Sequence, residues 1–274
     1  MDNWTESMWN WALSFWSSGL AQIQNLLTIS PENLGATWGA VKIIYSAIQG
    51  SAYALVIVFF YLGLVRTGIS FRDMKRPEVA VSLFLRFILV KAFVDWGLDL
   101  LLFIMSLGQG FIRKVFTAGN LQVNAVALPA EIVEALRSAN FWQQILLWLV
   151  SLLGIAAIIV QCILIVLLVY GRFLRIYVTA AIGAIPLSTI AGEGTQSIGF
   201  RYLKTFASIC MEGIVIGIAC VLYSYIVSEV PPIELGTDSP MVMLLSYIVG
   251  ICFQTFLLTG LIKGADTLLS KFMS

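Results

Sequence analysis

The 274-residue sequence contains no histidine, and only 11% of its residues are charged. Without histidine, the HExxH zinc site, the Ser-His-Asp triad and histidine proton relays are excluded. The cysteines have no CxxC spacing and all lie in apolar runs, so we interpret them as small buried hydrophobic residues. They are Cys162, Cys210, Cys220 and Cys252. We therefore expect neither an enzyme nor a bound metal or cofactor.

Charge is also too scarce to cover a soluble surface, because soluble domains carry about 25% charged residues. In contrast, 59% of the residues are apolar. A membrane-spanning helix needs about 20 mostly apolar residues. Five runs meet this need, at about residues 43–65, 81–112, 142–170, 206–227 and 241–262. The sequence predicts an all-α membrane protein with five transmembrane helices in one membrane domain, residues 41–274.

Two further apolar segments differ from ordinary spans. Residues 1–40 carry tryptophans and other large side chains at helical spacing, which is typical of an amphipathic helix at the membrane interface. These are Trp4, Met8, Trp11, Phe15 and Trp16. Residues 176–190 are apolar for too short a distance to span and contain Pro186. We expect this segment to be either re-entrant or in-plane.

The distribution of Lys and Arg predicts the orientation of the chain in the membrane. With five spans, residues 66–80, 171–204 and 263–274 fall on one side and hold ten basic residues, whereas the opposite side holds three. The ten are Arg66, Arg72, Lys75, Arg76, Arg172, Arg175, Arg201, Lys204, Lys263 and Lys271. The three are Arg113, Lys114 and Arg137. We expect the N-terminus outside and the C-terminus in the cytoplasm.

Polar residues inside the predicted spans are the main candidates for a functional site, since ionised groups facing lipid are costly. Lys91, Asp95 and Asp99 share one helix face, and the rise of 1.5 Å per residue places Lys91 and Glu212 at similar depth. We predict an intramembrane polar layer, which either locks helix packing or lines a conduit or subunit contact. Its candidate members are Lys91, Asp95, Asp99, Glu212, Gln161 and Gln254.

Pairs of small residues four positions apart allow two helix backbones to approach closely in a membrane. The sequence contains two such pairs, Gly213 with Gly217 and Ser246 with Gly250. Each pair favours either packing within the chain or contact in an oligomer.

The run IYVTAAIGAIPLSTIAGEGTQSIGFRYLKTFASICMEGIVIGIA, residues 176–219, resembles the central block of the TrbL-type polytopic subunits of type IV secretion and conjugation systems, particularly those of Gram-positive mobile elements. In both, an apolar segment with a proline precedes a glycine-rich turn, a basic residue and a GxxxG-like span. The likeness rests on Ala184, Pro186, Leu187, Gly192, Gly194, Gly199, Lys204, Cys210, Glu212 and Gly213. Five spans and a cytoplasmic C-terminus agree with that family.

The resemblance implies a non-enzymatic channel or platform subunit in the bacterial cytoplasmic membrane. It implies a homo-oligomer that contacts membrane lipids, secretion ATPases and other subunits of the machine. The basic residues beside the re-entrant segment either reflect ordinary positive-inside topology or make transient contact with translocating DNA. They are Arg172, Arg175, Arg201 and Lys204.

Two other functions stay open from the sequence. The first is a small-solute secondary transporter or ion channel that uses the intramembrane charges Lys91, Asp95 and Glu212. The second is a lipid-embedded assembly factor without a conduit.

Overall fold

A computed structural model describes residues 2–30, 33, 35–66, 77–119, 129–130, 132–134, 141–192, 194–229 and 240–273. Every regular element within these ranges is helical, and none of them contains a strand. The elements in chain order are α1 (Asp2–Thr28), α2 (Gly35–Arg66), α3 (Pro77–Asp95), α4 (Gly97–Ala118), α5 (Phe141–Ala181), α6 (Ala184–Ser188), a 3₁₀ turn (Thr189–Ala191), α7 (Gln196–Glu229) and α8 (Pro240–Met273).

Five of these helices are long and apolar enough to cross a membrane. They cover Gly35–Val65, Gly97–Ala118, Gln144–Ala181, Gln196–Ile226 and Met241–Leu269. The prediction of an all-α, multi-pass membrane protein is confirmed. The basic residues Arg72, Lys75, Arg76 and Arg137, which entered the orientation argument, lie outside the described residues.

The run at 81–112, predicted as one span, is divided at Trp96 into α3 and α4. The carbonyl oxygen of Val94 accepts hydrogen bonds from the Tyr45 hydroxyl at 2.9 Å and from Gln49 Nε2 at 3.3 Å. Side chains that insert into the backbone ladder are a recognised cause of helix bends. The break thus lies beside a carbonyl that is bound by two polar side chains of α2.

Helix α5 continues past the predicted end at residue 170 to Ala181, which gives it 41 residues. At 1.5 Å per residue it is roughly 60 Å long, about twice the thickness of a bilayer core. Gly183 and Pro186 follow its end, and both residue types disfavour continuation of a helix. Arg172 and Arg175 consequently lie on a helix rather than in a loop.

The chain divides into two compact units. The first unit comprises Met1–Thr28, Phe111–Gly171 and Gly213–Thr267, and the second comprises Ile29–Gly110, Arg172–Glu212 and Leu268–Ser274.

In the first unit, α1 packs against α5, α7 and α8 through one face. The indole of Trp9 makes an edge contact with Tyr247 at 5.7 Å between ring centroids, and Trp16 does so with Tyr223 at 6.4 Å. The buried residues of this face are Trp9, Ala12, Leu13, Trp16, Ile23 and Leu27. Of the large side chains on which the prediction of an amphipathic helix depended, Trp16 lies on this buried face, whereas Trp4 and Trp11 are 75% and 57% exposed.

In the second unit, the segment 184–191 is the centre of the core. Its buried residues Ala184, Leu187, Ile190 and Ala191 pack against α2 and α3. The α2 and α3 residues of this core are Tyr45, Ala52, Val56, Val90 and Val94. The segment thus packs beside α2, which is one of the candidate spans. Residues 176–181 belong to the end of α5.

A methyl group at Gly97 tests the packing of this core. Its Cβ would overlap the Tyr45 hydroxyl and Leu187, whereas a Cβ at Gly110 on the same helix meets nothing within 4 Å. We expect Gly97→Ala to lower the free energy of unfolding by about 1–3 kcal/mol, as overpacking does. Gly110→Ala, the matched control, should be neutral or slightly stabilising. Thermal melting of the protein in detergent measures both, and equal melting temperatures would contradict the described packing.

Candidate functional site

A buried arginine marks the most unusual polar site in the described chain. Arg172 on α5 is 4% exposed. Its Nε donates a hydrogen bond to the Ile209 carbonyl at 3.1 Å, and its Nη2 donates to the Cys210 carbonyl at 2.8 Å. The guanidinium carbon also lies 5.8 Å from the centre of the Phe173 ring. Burying a charge is costly unless it is hydrogen-bonded, and the two α7 carbonyls supply that compensation.

One helical turn further, Arg175 forms an ion pair with Glu212. Its Nη2 donates to Glu212 Oε1 at 2.9 Å and to Oε2 at 3.0 Å. The Glu212 side chain is only 6% exposed, whereas that of Arg175 is 43% exposed. We call Arg172, Arg175 and Glu212 the clamp, because they join the end of α5 to the antiparallel α7. The Tyr202 hydroxyl extends the same junction by donating to the Thr179 carbonyl at 2.8 Å.

The glycine-rich turn before α7 requires its glycines at three positions. Gly194 has φ of 89°, a left-handed conformation that costs glycine little. A Cβ at Gly192 would lie 2.7 Å from the Phe59 carbonyl oxygen, and one at Gly199 would lie 2.9 Å from that of Pro186. Gly192 therefore lets the turn approach the backbone of α2, and Gly199, in the first turn of α7, lets that helix approach the backbone of the segment 184–191.

The predicted polar layer is distributed differently from the expectation. The similar depth of Lys91 and Glu212 predicted that these two residues form a pair. In the structure Glu212 instead forms its ion pair with Arg175. Rise per residue fixes depth alone, and Arg175 was assigned to a loop because α5 was expected to end earlier. Lys91, Asp95 and Asp99 are exposed on α3 and α4, and the Tyr53 hydroxyl donates to Asp95 Oδ1.

The two glutamines of the predicted layer belong to the first unit. Gln161 is buried on α5, and its Oε1 accepts a hydrogen bond from the Thr259 hydroxyl at 2.8 Å. Gln254 is half-buried on α8. Gln161 thus links two candidate spans, which is the helix-packing role that the sequence left open.

The four residues of the predicted basic cluster have two different environments. Arg201 and Lys204 are exposed on α7. The guanidinium groups of Arg172 and Arg175 instead bind carbonyls and a carboxylate of the same unit. Only the exposed pair offers its charge freely to an outside anion.

The small-residue pairs contribute to packing within the chain. Gly213 and Gly217 are buried on α7, and a Cβ at Gly217 would lie 3.6 Å from Phe116 at the end of α4. On α8, Gly250 is buried and Ser246 is half-buried. Gly217 therefore packs within its own chain, which is one of the two roles that the sequence allowed for this pair.

Sequence reasoning missed two features that position this site. The first is the face of α2 with Tyr45, Gln49 and Tyr53, whose side chains bond to the end of α3. Their spacing of four residues was the signal available in the sequence. The second is Gly108 on α4, where a Cβ would lie 3.1 Å from the Cys210 carbonyl oxygen.

Comparison with protein-family models, curated proteins and solved structures found no match to this chain. The geometry of the site and the resemblance of residues 176–219 are thus the two observations that bear on function. The clamp and the glycine-rich turn fall within or beside that block.

A double-mutant cycle tests the ion pair of the clamp. We expect Arg175→Met and Glu212→Gln each to destabilise the protein, with a coupling free energy of about 0.5–3 kcal/mol between them. The half-exposed position of Arg175 places the value toward the lower end. Unfolding by SDS in mixed micelles measures the stability of all four proteins.

Lys91→Met combined with Glu212→Gln is the control cycle, because the sequence alone would have paired these two residues. Their effects should add without coupling. Strong coupling of Glu212 to Lys91, and none to Arg175, would contradict the described clamp.

Proposed function

We propose that this chain is a non-enzymatic membrane subunit of a conjugative type IV secretion system. Several copies would form a channel or platform that supports the transfer of DNA or protein across the bacterial cytoplasmic membrane. The proposal joins the five-span helical fold to the TrbL-type pattern of residues 176–219.

The observation that carries the proposal is the role of the residues on which the resemblance rests. Leu187 is buried in the core of the second unit, and Glu212 holds Arg175. Gly192 and Gly199 allow backbone contacts that a Cβ would prevent. A pattern whose members each have a distinct packing role is better explained by a common local fold than by a hydrophobic run of chance composition.

Helix directions support the proposed orientation, with the N-terminus outside and the C-terminus in the cytoplasm. Gly154 lies against Ile248, and Gln161 bonds to Thr259, so α5 and α8 run in the same direction within the first unit. Their C-terminal ends then face the same side of the membrane. This agrees with a cytoplasmic side that holds both residues 171–204 and 263–274, where Lys and Arg are concentrated.

The exposed basic pair on α7 supports the proposed partners at the cytoplasmic face. Arg201 and Lys204 attract phosphates of translocating DNA or acidic surfaces of secretion ATPases, in a salt-dependent way. The apolar side chains that cover the spans contact membrane lipids. Contacts between copies complete the homo-oligomer.

A second candidate function is a small-solute transporter or ion channel. The exposed Lys91 and Asp95 beside the helix break at Trp96 favour it, since broken helices near charges form the sites of many transporters. The third charge of that alternative, Glu212, is bound to Arg175. Ion-dependent solute uptake by the purified protein in vesicles would support this alternative over secretion.

A transfer assay tests the proposed function. In donor cells carrying the element that encodes this chain, we expect deletion of its gene to lower conjugative transfer by about a hundredfold or more, because each subunit of a membrane conduit is required. The wild-type gene should restore transfer, whereas a Gly97→Val variant that reaches the membrane poorly should not. Unchanged transfer after deletion, with solute uptake lost, would contradict the proposal.

A further inference from the structure

Helix α1 follows candidate membrane spans along most of its length. On α5, Trp9 lies against Gly154, the carbonyl of Phe15 accepts from Cys162 Sγ at 3.7 Å, and Gln22 Nε2 donates to the Tyr170 hydroxyl at 3.3 Å. The two helices are therefore parallel and in register over about 20 Å.

The other neighbours of α1 in the first unit are also parts of spans. They are Tyr247 on α8, Tyr223 on α7 and Arg113 on α4, whose Nη2 donates to the Thr28 carbonyl at 3.1 Å. All these partners lie inside the candidate spans. Helix α1 thus runs along the candidate spans rather than across their ends.

The exposed faces of α1 and α5 differ in polarity at this shared depth. On α5, every exposed residue from 152 to 167 is apolar: Leu152, Leu153, Ala156, Val160, Ile163, Leu164 and Leu167. On α1, the exposed residues from 14 to 25 are Ser14, Ser18, Ala21, Gln22 and Asn25. The α5 face suits lipid, whereas four of the five α1 residues are polar.

Lipid cannot satisfy the polar face of α1. A serine hydroxyl tolerates hydrocarbon when it bonds its own helix, as that of Ser14 does with the Trp11 carbonyl at 2.7 Å. The carboxamides of Gln22 and Asn25 each carry two donor hydrogens and an acceptor oxygen. The bond from Gln22 to the Tyr170 hydroxyl uses one donor hydrogen of Gln22. The remaining capacity requires water or a protein partner that matches every group.

We propose that the Ser14–Asn25 face of α1 lines a water-filled passage through the membrane, which further copies of this chain complete. Water meets the hydrogen-bonding needs of all these side chains without a specific partner for each. Residues 7–28 contain no Asp, Glu, Lys or Arg, so this wall of the passage is neutral and does not select by charge. The inference rests on the proposed function, because it assigns the conduit of that oligomer to one helix.

Cysteine accessibility tests the passage. Ser18→Cys is placed on the polar face, and Leu164→Cys on the lipid-suited face of α5 is the matched control, since Gly19 lies against Cys162 and Val166 at that level. The full chain is reconstituted in phospholipid vesicles with its native cysteines replaced by alanine. The probe is a charged, membrane-impermeant methanethiosulfonate added from the outside.

We expect Ser18→Cys to react at least about tenfold faster than Leu164→Cys, because the reactive thiolate forms only in water. Ser14→Cys gives a second position should the first variant misfold, and Leu13→Cys on the buried face should stay unreactive. Equal slow rates at residues 18 and 164 would overturn the passage. Disulfide-linked dimers through residue 18, without reaction with the probe, would also overturn it and indicate a dry contact between copies.

The labelling result and the transfer assay separate the two proposals. If deletion abolishes transfer but the polar face does not react, the secretion function stands and the passage along α1 is wrong. If the face reacts but deletion leaves transfer unchanged, the helix lines a conduit of another kind and the secretion function is wrong.

Discussion

The fold depends on the requirement that a buried polar group must find its partners within the protein. Arg172 is the clearest example, because this residue is only 4% exposed and its guanidinium donates to two carbonyl oxygens of α7. Those carbonyls remain in their own helix and use free lone pairs, so the bonds do not break the ladder. The charge therefore sets which residues of α5 and α7 lie side by side within the second unit.

Close backbone approach is the second constraint, and it follows from the first. In a membrane, helices gain little from the hydrophobic effect, so van der Waals contact between small residues holds them together. The side chains of Tyr45 and Leu187 lie close to Gly97. The backbone carbonyls of Pro186 and Cys210 lie close to Gly199 and Gly108, respectively. Each glycine lies where a neighbouring helix or segment comes too close for a Cβ without a shift.

Hydropathy predicted the helical class, the number of spans and the short segment around Pro186, because each depends on composition over many residues. It did not predict that Arg172 and Arg175 lie on a helix, since a charge normally ends an apolar run. It also did not predict which basic residue pairs with Glu212. Depth arithmetic aligned Lys91 with Glu212, but depth is one coordinate, and rotation about each helix axis turns Glu212 toward Arg175.

The same limitation explains the two interpretations of α1. Amphipathic spacing shows that one face is apolar and the other polar, and an interfacial helix and a helix lining water share this pattern. The structure adds the neighbours of the helix: α1 follows α5 from Gly154 to Tyr170 and buries Trp9 and Trp16, while Trp4 and Trp11 stay exposed. The face with Trp9, Ala12 and Trp16 is occupied by protein, and in the proposed passage water would meet the hydrogen-bonding needs of the exposed polar side chains from Ser14 to Asn25.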